Sequence, residues 1–167
     1  MGEEMAENIF VKKLKEKFPS IEFENERQHD FDIIKVPRDR LFSVIKFFKE
    51  DPDLDCDMLV DLTCVDYLGE EPRFELVYHL RSMKKLHMIR VKSRVPEDDP
   101  VIDSLTPLYK IANWFEREVW DMYGVKFRGH PDLRRILLYE EFEGHPLRKD
   151  YPRTKEQPLV PYRKQES

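Results

Sequence analysis

At 167 residues the chain has room for one compact domain with its own buried core. Charged residues make up 38% and the net charge is -5, which excludes the broad basic field of a nucleic-acid binder and disfavours unaided attachment to an anionic membrane. Only Cys56 and Cys64 are present, too few for an iron–sulfur cluster or a zinc knuckle.

The start of the chain is acidic and polar, unlike a secretory leader or an Arg-rich transit peptide, and no stretch approaches the run of about 18 apolar residues that spans a bilayer. Residues 6–18 read as a first helix, with Ile9, Leu14 and Phe18 near one stripe and Pro19 as the stop. Residues 21–26 and 31–36 read as a hairpin around Arg27-Gln28-His29-Asp30. Pro37 opens a second helix whose stripe is Leu41, Val44, Ile45 and Phe48. The cysteines, in C-x7-C spacing, read as small apolar side chains of a reducing compartment, a disulfide being the lesser alternative.

Residues 58–68 fit a strand or a short helix, and periodicity does not decide. Residues 73–80 alternate, with Phe74, Leu76, Tyr78 and Leu80 on one face and Arg73, Glu75 and His79 on the other. After a turn at 82–85, residues 86–95 return as the second strand of another hairpin, and 96–100 form an acidic loop. Thr106 and Pro107 read as N-cap and first-turn residue of a third helix running to Tyr123, with Gly124 as its C-terminal stop. Beyond it lie two Gly-His-Pro turns, at Gly129-His130-Pro131 and Gly144-His145-Pro146. Residues 152–167 hold three prolines and no apolar period, and read as an extended arm needing a partner for order.

The third helix holds the densest chemistry. Leu108, Ile111, Ala112, Phe115, Val119, Met122 and Tyr123 make its apolar stripe, whereas Lys110, Trp114, Arg117, Glu118 and Asp121 gather opposite. Trp and Arg on an outer face are the residue types most enriched at binding hot spots, the plainer reading being a solvated helix with ion pairs and a snorkelling Trp. The histidines fit turn capping better than catalysis or metal binding, because no H-x3-H or H-E-x-x-H occurs. No Gly-rich dinucleotide loop, Walker loop or nucleophile elbow is present. Arg134, Arg135, Arg148, Lys149 and Arg153 form a basic patch that Glu140, Glu141, Glu143 and Asp150 interrupt, which favours an acidic protein partner over nucleic acid.

Glu116-Arg117-Glu118, Asp121, Gly124, Phe127, His130-Pro131, Leu133 and Arg135-Ile136-Leu137 together resemble the signature of the C subunit of NADH–quinone oxidoreductase, the 30-kilodalton subunit of respiratory complex I. The later run from Gly144 to Pro152 resembles the same family's second landmark, and Asp61-Leu62-Thr63 with Val65-Asp66-Tyr67 also fits. The resemblance implies a structural subunit of the hydrophilic arm, packed on the D subunit that helps form the quinone pocket, with the B subunit nearby. It implies no catalytic, cofactor-binding or metal residue on this chain: FMN, iron–sulfur clusters, NADH and quinone would belong to other subunits. It also implies attachment to the cytoplasmic face of the cell membrane through partners. Equivalent subunits of membrane-bound hydrogenases and formate hydrogenlyases share the signature, so the electron donor stays open. A stand-alone enzyme built on His130 or His145 is the alternative of another class.

The expected architecture is α+β, with helices packed on a mostly antiparallel or mixed sheet: one domain over residues 1–151 and an arm over 152–167. The expected partner face comprises Trp114, Glu116, Arg117, Glu118, Asp121, Gly124, His130, Pro131, Asp132, Arg135, His145, Arg148, Lys149 and Asp150, as contacts or as their supports.

Overall fold

A computed structural model of the chain describes residues 8–28 and 31–159. In chain order it contains α1 (Ile9–Lys17), β1 (Glu24–Gln28), β2 (Phe31–Lys35), α2 (Leu41–Glu50), β3 (Met58–Asp66), β4 (Phe74–Arg81), β5 (Met88–Val95), β6 (Val101–Asp103), α3 (Ala112–Tyr123) and β7 (Lys126–Arg128). The fold is α+β, as the sequence predicts.

Five strands form one mixed sheet in the order β1-β2-β5-β4-β3. Every pairing in it is antiparallel except β2 with β5, which run parallel and join the two hairpins edge to edge. The undecided segment at 58–68 is a strand, β3, because pairing with β4 satisfies its backbone and its side chains then alternate between core and surface. β1 extends to Gln28, so Arg27 and Gln28 pair with β2 rather than turn; His29 and Asp30 lie outside the described residues.

The core forms where Leu41, Val44, Ile45 and Phe48 of α2 meet Ile34, Leu76, Tyr78, Leu80, Ile89 and Val91 of the sheet. Burying each such large apolar side chain contributes about 1.5–3 kcal/mol. α1 adds Phe10, Val11 and Leu14. Its stripe is rotated one position from the expected one: Ile9 is exposed, and Phe10 meets Phe48 edge-on at 5.2 Å. Asn8 caps this helix by accepting from the Phe10 amide at 2.7 Å.

The opposite face of β4 is polar but not open. Glu75 is buried between Lys92 and Arg94, each 3.1 Å away, and Arg73 at the foot of the strand is only 1% exposed. A cleft of about 620 Å³ lies on this face, lined among others by Phe23, Lys35, Pro72, Glu75, Lys92 and Arg94. Both cysteines are buried free thiols. Burial pushes the Cys56 thiol up to about 12 and raises Cys64 as well, so neither is a ready nucleophile.

α3 crosses between β6 and β7, which pair in parallel, and packs on β3. It begins at Ala112, later than Thr106 suggests. Instead of capping a helix, the Thr106 hydroxyl pairs with Ser104 Oγ at 2.8 Å, and Leu108 and Tyr109 N–H both donate to Leu105 O in a tight turn. No long apolar helix suited to crossing a membrane occurs among the described residues.

Candidate functional site

After β7 the chain makes almost no regular structure, yet it is pinned to the body along its length. We call residues 129–159 the strap. A segment without helix or sheet has no internal ladder for its backbone donors, so any that are covered need acceptors from elsewhere. Two clusters of charged side chains supply them.

The first cluster is built on α3. Asp121 is fully buried, contrary to its place on the outer face of the helical wheel. Its Oδ2 accepts the amides of Ile136, Leu137 and Leu138 at 3.1, 2.9 and 3.0 Å, and Arg135 Nη1 donates to Oδ1 at 2.6 Å. Three successive amides around one oxygen make an anion nest. Burial alone would raise this carboxyl, but donation from Leu138, Arg135, Ile136 and Leu137 outweighs it and holds the carboxyl below its usual range. Arg135 Nη2 reaches on to Phe142 O at 2.6 Å and Gly144 O at 3.1 Å, bracketing the loop between them. One turn earlier, Arg117 donates to Arg134 O at 3.0 Å and to Arg135 O at 2.7 Å.

The helix end is shaped to let the strap pass. Gly124 is left-handed, with φ 81°, and a Cβ there would lie 2.7 Å from the His145 ring. Two needs thus meet in one glycine: a backbone turn and a close approach. His145 Nδ1 lies 3.0 Å from Asp121 O, and Leu147 N–H donates to Met122 O at 3.1 Å. Burial lowers the His145 imidazole, which favours its neutral form. His130 is also committed to the backbone: Nε2 lies 3.1 Å from Asn113 O, and Nδ1 accepts from the Asp132 amide at 3.0 Å. These partners fit turn capping. Among the described residues no group of three His, Cys, Asp or Glu is placed to hold a metal ion.

The second cluster sits at the foot of β4. Arg73 Nε and Nη2 donate to the two oxygens of Asp66, each at 2.8 Å. Nη2 and Nη1 also donate to Asp150 at 2.8 and 3.1 Å, and Nη1 to Glu97 at 2.6 Å. Arg148 pairs with Glu97 at 3.0 Å and with Asp150 at 3.3 Å, while the Lys149 amide donates to Asp66 Oδ2 at 2.8 Å. Hydrogen bonds from Arg73 hold Asp150 down to about 2 and lower Asp66. The sequence places Arg73 on a strand's outer face; it is instead the buried centre of this cluster, because Asp66 from the neighbouring strand and Glu97 and Asp150 from later in the chain close over it.

A third buried charge supports α3 from beneath. Glu116 is fully buried, with its carboxylate accepting from Ser104 Oγ at 2.6 Å and from the Leu105 amide at 2.6 Å. Burial pushes its carboxyl up to about 7, against the lowering effect of those two donors.

The expected partner residues therefore divide. Glu116, Arg117, Asp121, Gly124, Arg135 and His145 act inside the chain as fasteners. Trp114 is 63% exposed on α3, and Glu118, Pro131, Asp132 and Lys149 face solvent. Arg148 and Asp150 are fasteners with an exposed side. Residues 152–159 have no helix or strand but fold back on the earlier part of the strap at 139–143: Gln157 pairs with both backbone groups of Glu143, and Tyr139 donates to Pro158 O at 3.1 Å. Residues 160–167 lie outside the described residues.

The family model for the respiratory-chain NADH dehydrogenase 30 kDa subunit matches residues 34–157. The C subunit of NADH-quinone oxidoreductase from Citrifermentans bemidjiense is 44% identical over 149 residues, covering 89% of this chain and 91% of that one. The C 2 subunit of the Rhizobium etli oxidoreductase is 48% identical over 124 residues, 74% of this chain; the match spans only 66% of the Rhizobium protein. Among solved structures, the trypsin-resistant 1–134 fragment of Nqo5 superposes with a TM-score of 0.64 at 29% identity, over 75% of this chain and all of the fragment. A chain of the membrane-bound sulfane sulfur reductase, an archaeal respiratory membrane complex, superposes with a TM-score of 0.71 at 29% identity, over 86% of this chain and 84% of its own. The matched span takes in α2, all of the sheet from β3 onward, α3 and nearly the whole strap, and the chain belongs to the family of the 30 kDa subunit of respiratory-chain NADH dehydrogenase.

Proposed function

We propose that this chain is a structural subunit of the hydrophilic arm of NADH:quinone oxidoreductase, holding the D subunit, with B nearby, while electrons pass outside it. The observation that carries this reading is that α3 and the strap are locked together by buried charges yet present apolar side chains outward. Trp114 is 63% exposed and Leu137 62% exposed, with exposed Ile111 at the N-cap of α3. A rigid surface with an aromatic anchor loses little entropy on docking. Fixing neighbours in place keeps the distances between redox centres constant, which is what pre-organisation supplies to electron transfer. In this reading FMN, iron–sulfur clusters, NADH and quinone sit on other subunits, and partners tether the chain to the cytoplasmic face of the membrane.

A second reading has a specific observation behind it. The superposition on a chain of a sulfane sulfur reductase supports a matching subunit in a complex with another electron input, hydrogenase types included. Neighbouring subunits distinguish the two. Recovered from native membranes in mild detergent, the chain is expected to bring NADH-binding subunits with it; a nickel-containing partner would select the hydrogenase type. Trp114→Ala should cut recovery of the D subunit at least tenfold, which corresponds to about 1.4 kcal/mol. Undiminished recovery would remove α3 from the docking face. A tightly held chromophore on the lone purified chain would overturn both readings.

A further inference from the structure

The two charge clusters that hold the strap differ in depth. In the Asp121 nest the acceptor is fully buried, and it takes backbone amides as well as Arg135. At the Arg73 cluster the cation is buried but two of its three acceptors reach solvent: the Asp150 side chain is 44% exposed and Glu97 50%. Asp66, the third, is buried with it and binds it through both oxygens.

Arg73 has five N–H donors and makes five hydrogen bonds. Asp66 takes two, Asp150 two and Glu97 one. The strap thus supplies two of the five acceptors through Asp150 alone. When it lifts, the strap also gives up the Lys149 amide bond to Asp66 Oδ2, the Arg148–Glu97 pair and the Leu147 amide bond to Met122 O, but the Arg73–Asp66 pair stays intact, Glu97 keeps its hold on Arg73, and water can reach the freed donors. Lifting the nest is different. It strips a buried carboxylate of three amides and a guanidinium at once, and those amides have no ladder to fall back on.

We propose that the strap is a clamp with one fixed and one releasable end: residues 134–138 stay seated on Asp121, while residues 147–151 open at the Arg73–Asp150 clasp without unfolding the sheet. The releasable end carries Leu147, which is 52% exposed, and exposed Lys149, while Lys155, Gln157 and Pro158 stay tied to Glu143 and Tyr139, so opening the clasp frees residues 147–151 as a loop held on both sides. This concerns the free chain and does not depend on which complex it joins.

Hydrogen–deuterium exchange on the full purified chain tests it. In the wild type, the amides of Ile136–Leu138 and of Leu147, Lys149 and Tyr151 are expected to be protected. Asp150→Asn should speed exchange at Leu147, Lys149 and Tyr151 tenfold or more, leaving Ile136–Leu138 and β4 within about twofold. Raising NaCl to about 1 M on the wild type gives a measurement free of any folding defect. Screening should loosen the half-exposed clasp and spare the buried nest. Equal acceleration at both ends, or none at the 147–151 end in either experiment, would overturn the proposal.

Discussion

The sheet with α1 and α2 and the strap solve the same problem by opposite means. In the sheet, backbone groups satisfy each other, so the side chains of Phe48, Tyr78 and Leu80 are free to be apolar and to fill the core. In the strap, backbone groups cannot satisfy each other, so side chains do it: Asp121, Arg117 and Arg135 act as acceptors and donors for the main chain. Dense charge in a family signature can therefore mark intramolecular scaffolding as readily as contact with a partner.

The largest losses are expected at the centre of each region. Phe48→Ala and Asp121→Ala should each cost about 3–5 kcal/mol in denaturant unfolding, the first by leaving a cavity and the second by stranding Arg135 and three amides. They should differ in what is lost. Phe48→Ala should weaken the whole domain, whereas Asp121→Ala should release the strap first and leave the far-ultraviolet signature of the sheet in place. Loss of the sheet signal together with the strap in Asp121→Ala would show that the two regions are not separable.

A pH titration separates the two kinds of buried carboxyl. The Glu116 carboxyl is raised to about 7 in the folded chain, against 4.5 when unperturbed. Between those values the folded protein holds a proton that the unfolded chain has lost, so stability from this group is full below 4.5 and is lost as pH rises through about 7. The expected decline is on the order of 3 kcal/mol, and Glu116→Gln should flatten it. The carboxyls of Asp66, Asp121 and Asp150 are shifted the other way. Their contribution is present above 3.8 and is lost as pH falls, through about 2 for Asp150. Unfolding midpoints of wild type and Glu116→Gln that fall in parallel from pH 5 to 8 would remove Glu116 from the account.

Gly124→Ala is the smallest of these changes. A left-handed backbone costs a residue with a Cβ about 1–2 kcal/mol, and the new methyl meets the His145 ring. The expected mark is faster exchange at the Leu147 amide with little change in the sheet.

Legibility in the sequence follows the same division. α2 and the alternation of β4 are legible because Leu41, Val44, Ile45 and Phe48, and Phe74 through Leu80, obey local periods. The Gly124 stop is legible because one residue type suits that turn. A helical wheel puts Asp121 on the wrong side of α3 because it assumes water wherever it meets charge, and it cannot know that the strap covers that side. Thr106 resembles a cap because its rival partner, Ser104, is equally local and equally polar. Arg73 carries no signal, since its strap acceptor lies 77 residues away and nothing in either neighbourhood points to the other.

That distance also orders events at the ribosome. β3, β4 and β5 are near neighbours in sequence and can pair as soon as they emerge. The guanidinium at position 73 then waits, with Asp66 and Glu97 already in hand, until synthesis has passed position 150. A nascent chain cut short before that point can keep its sheet and the bonds of this cation to Asp66 and Glu97, with the two donors meant for Asp150 left to water.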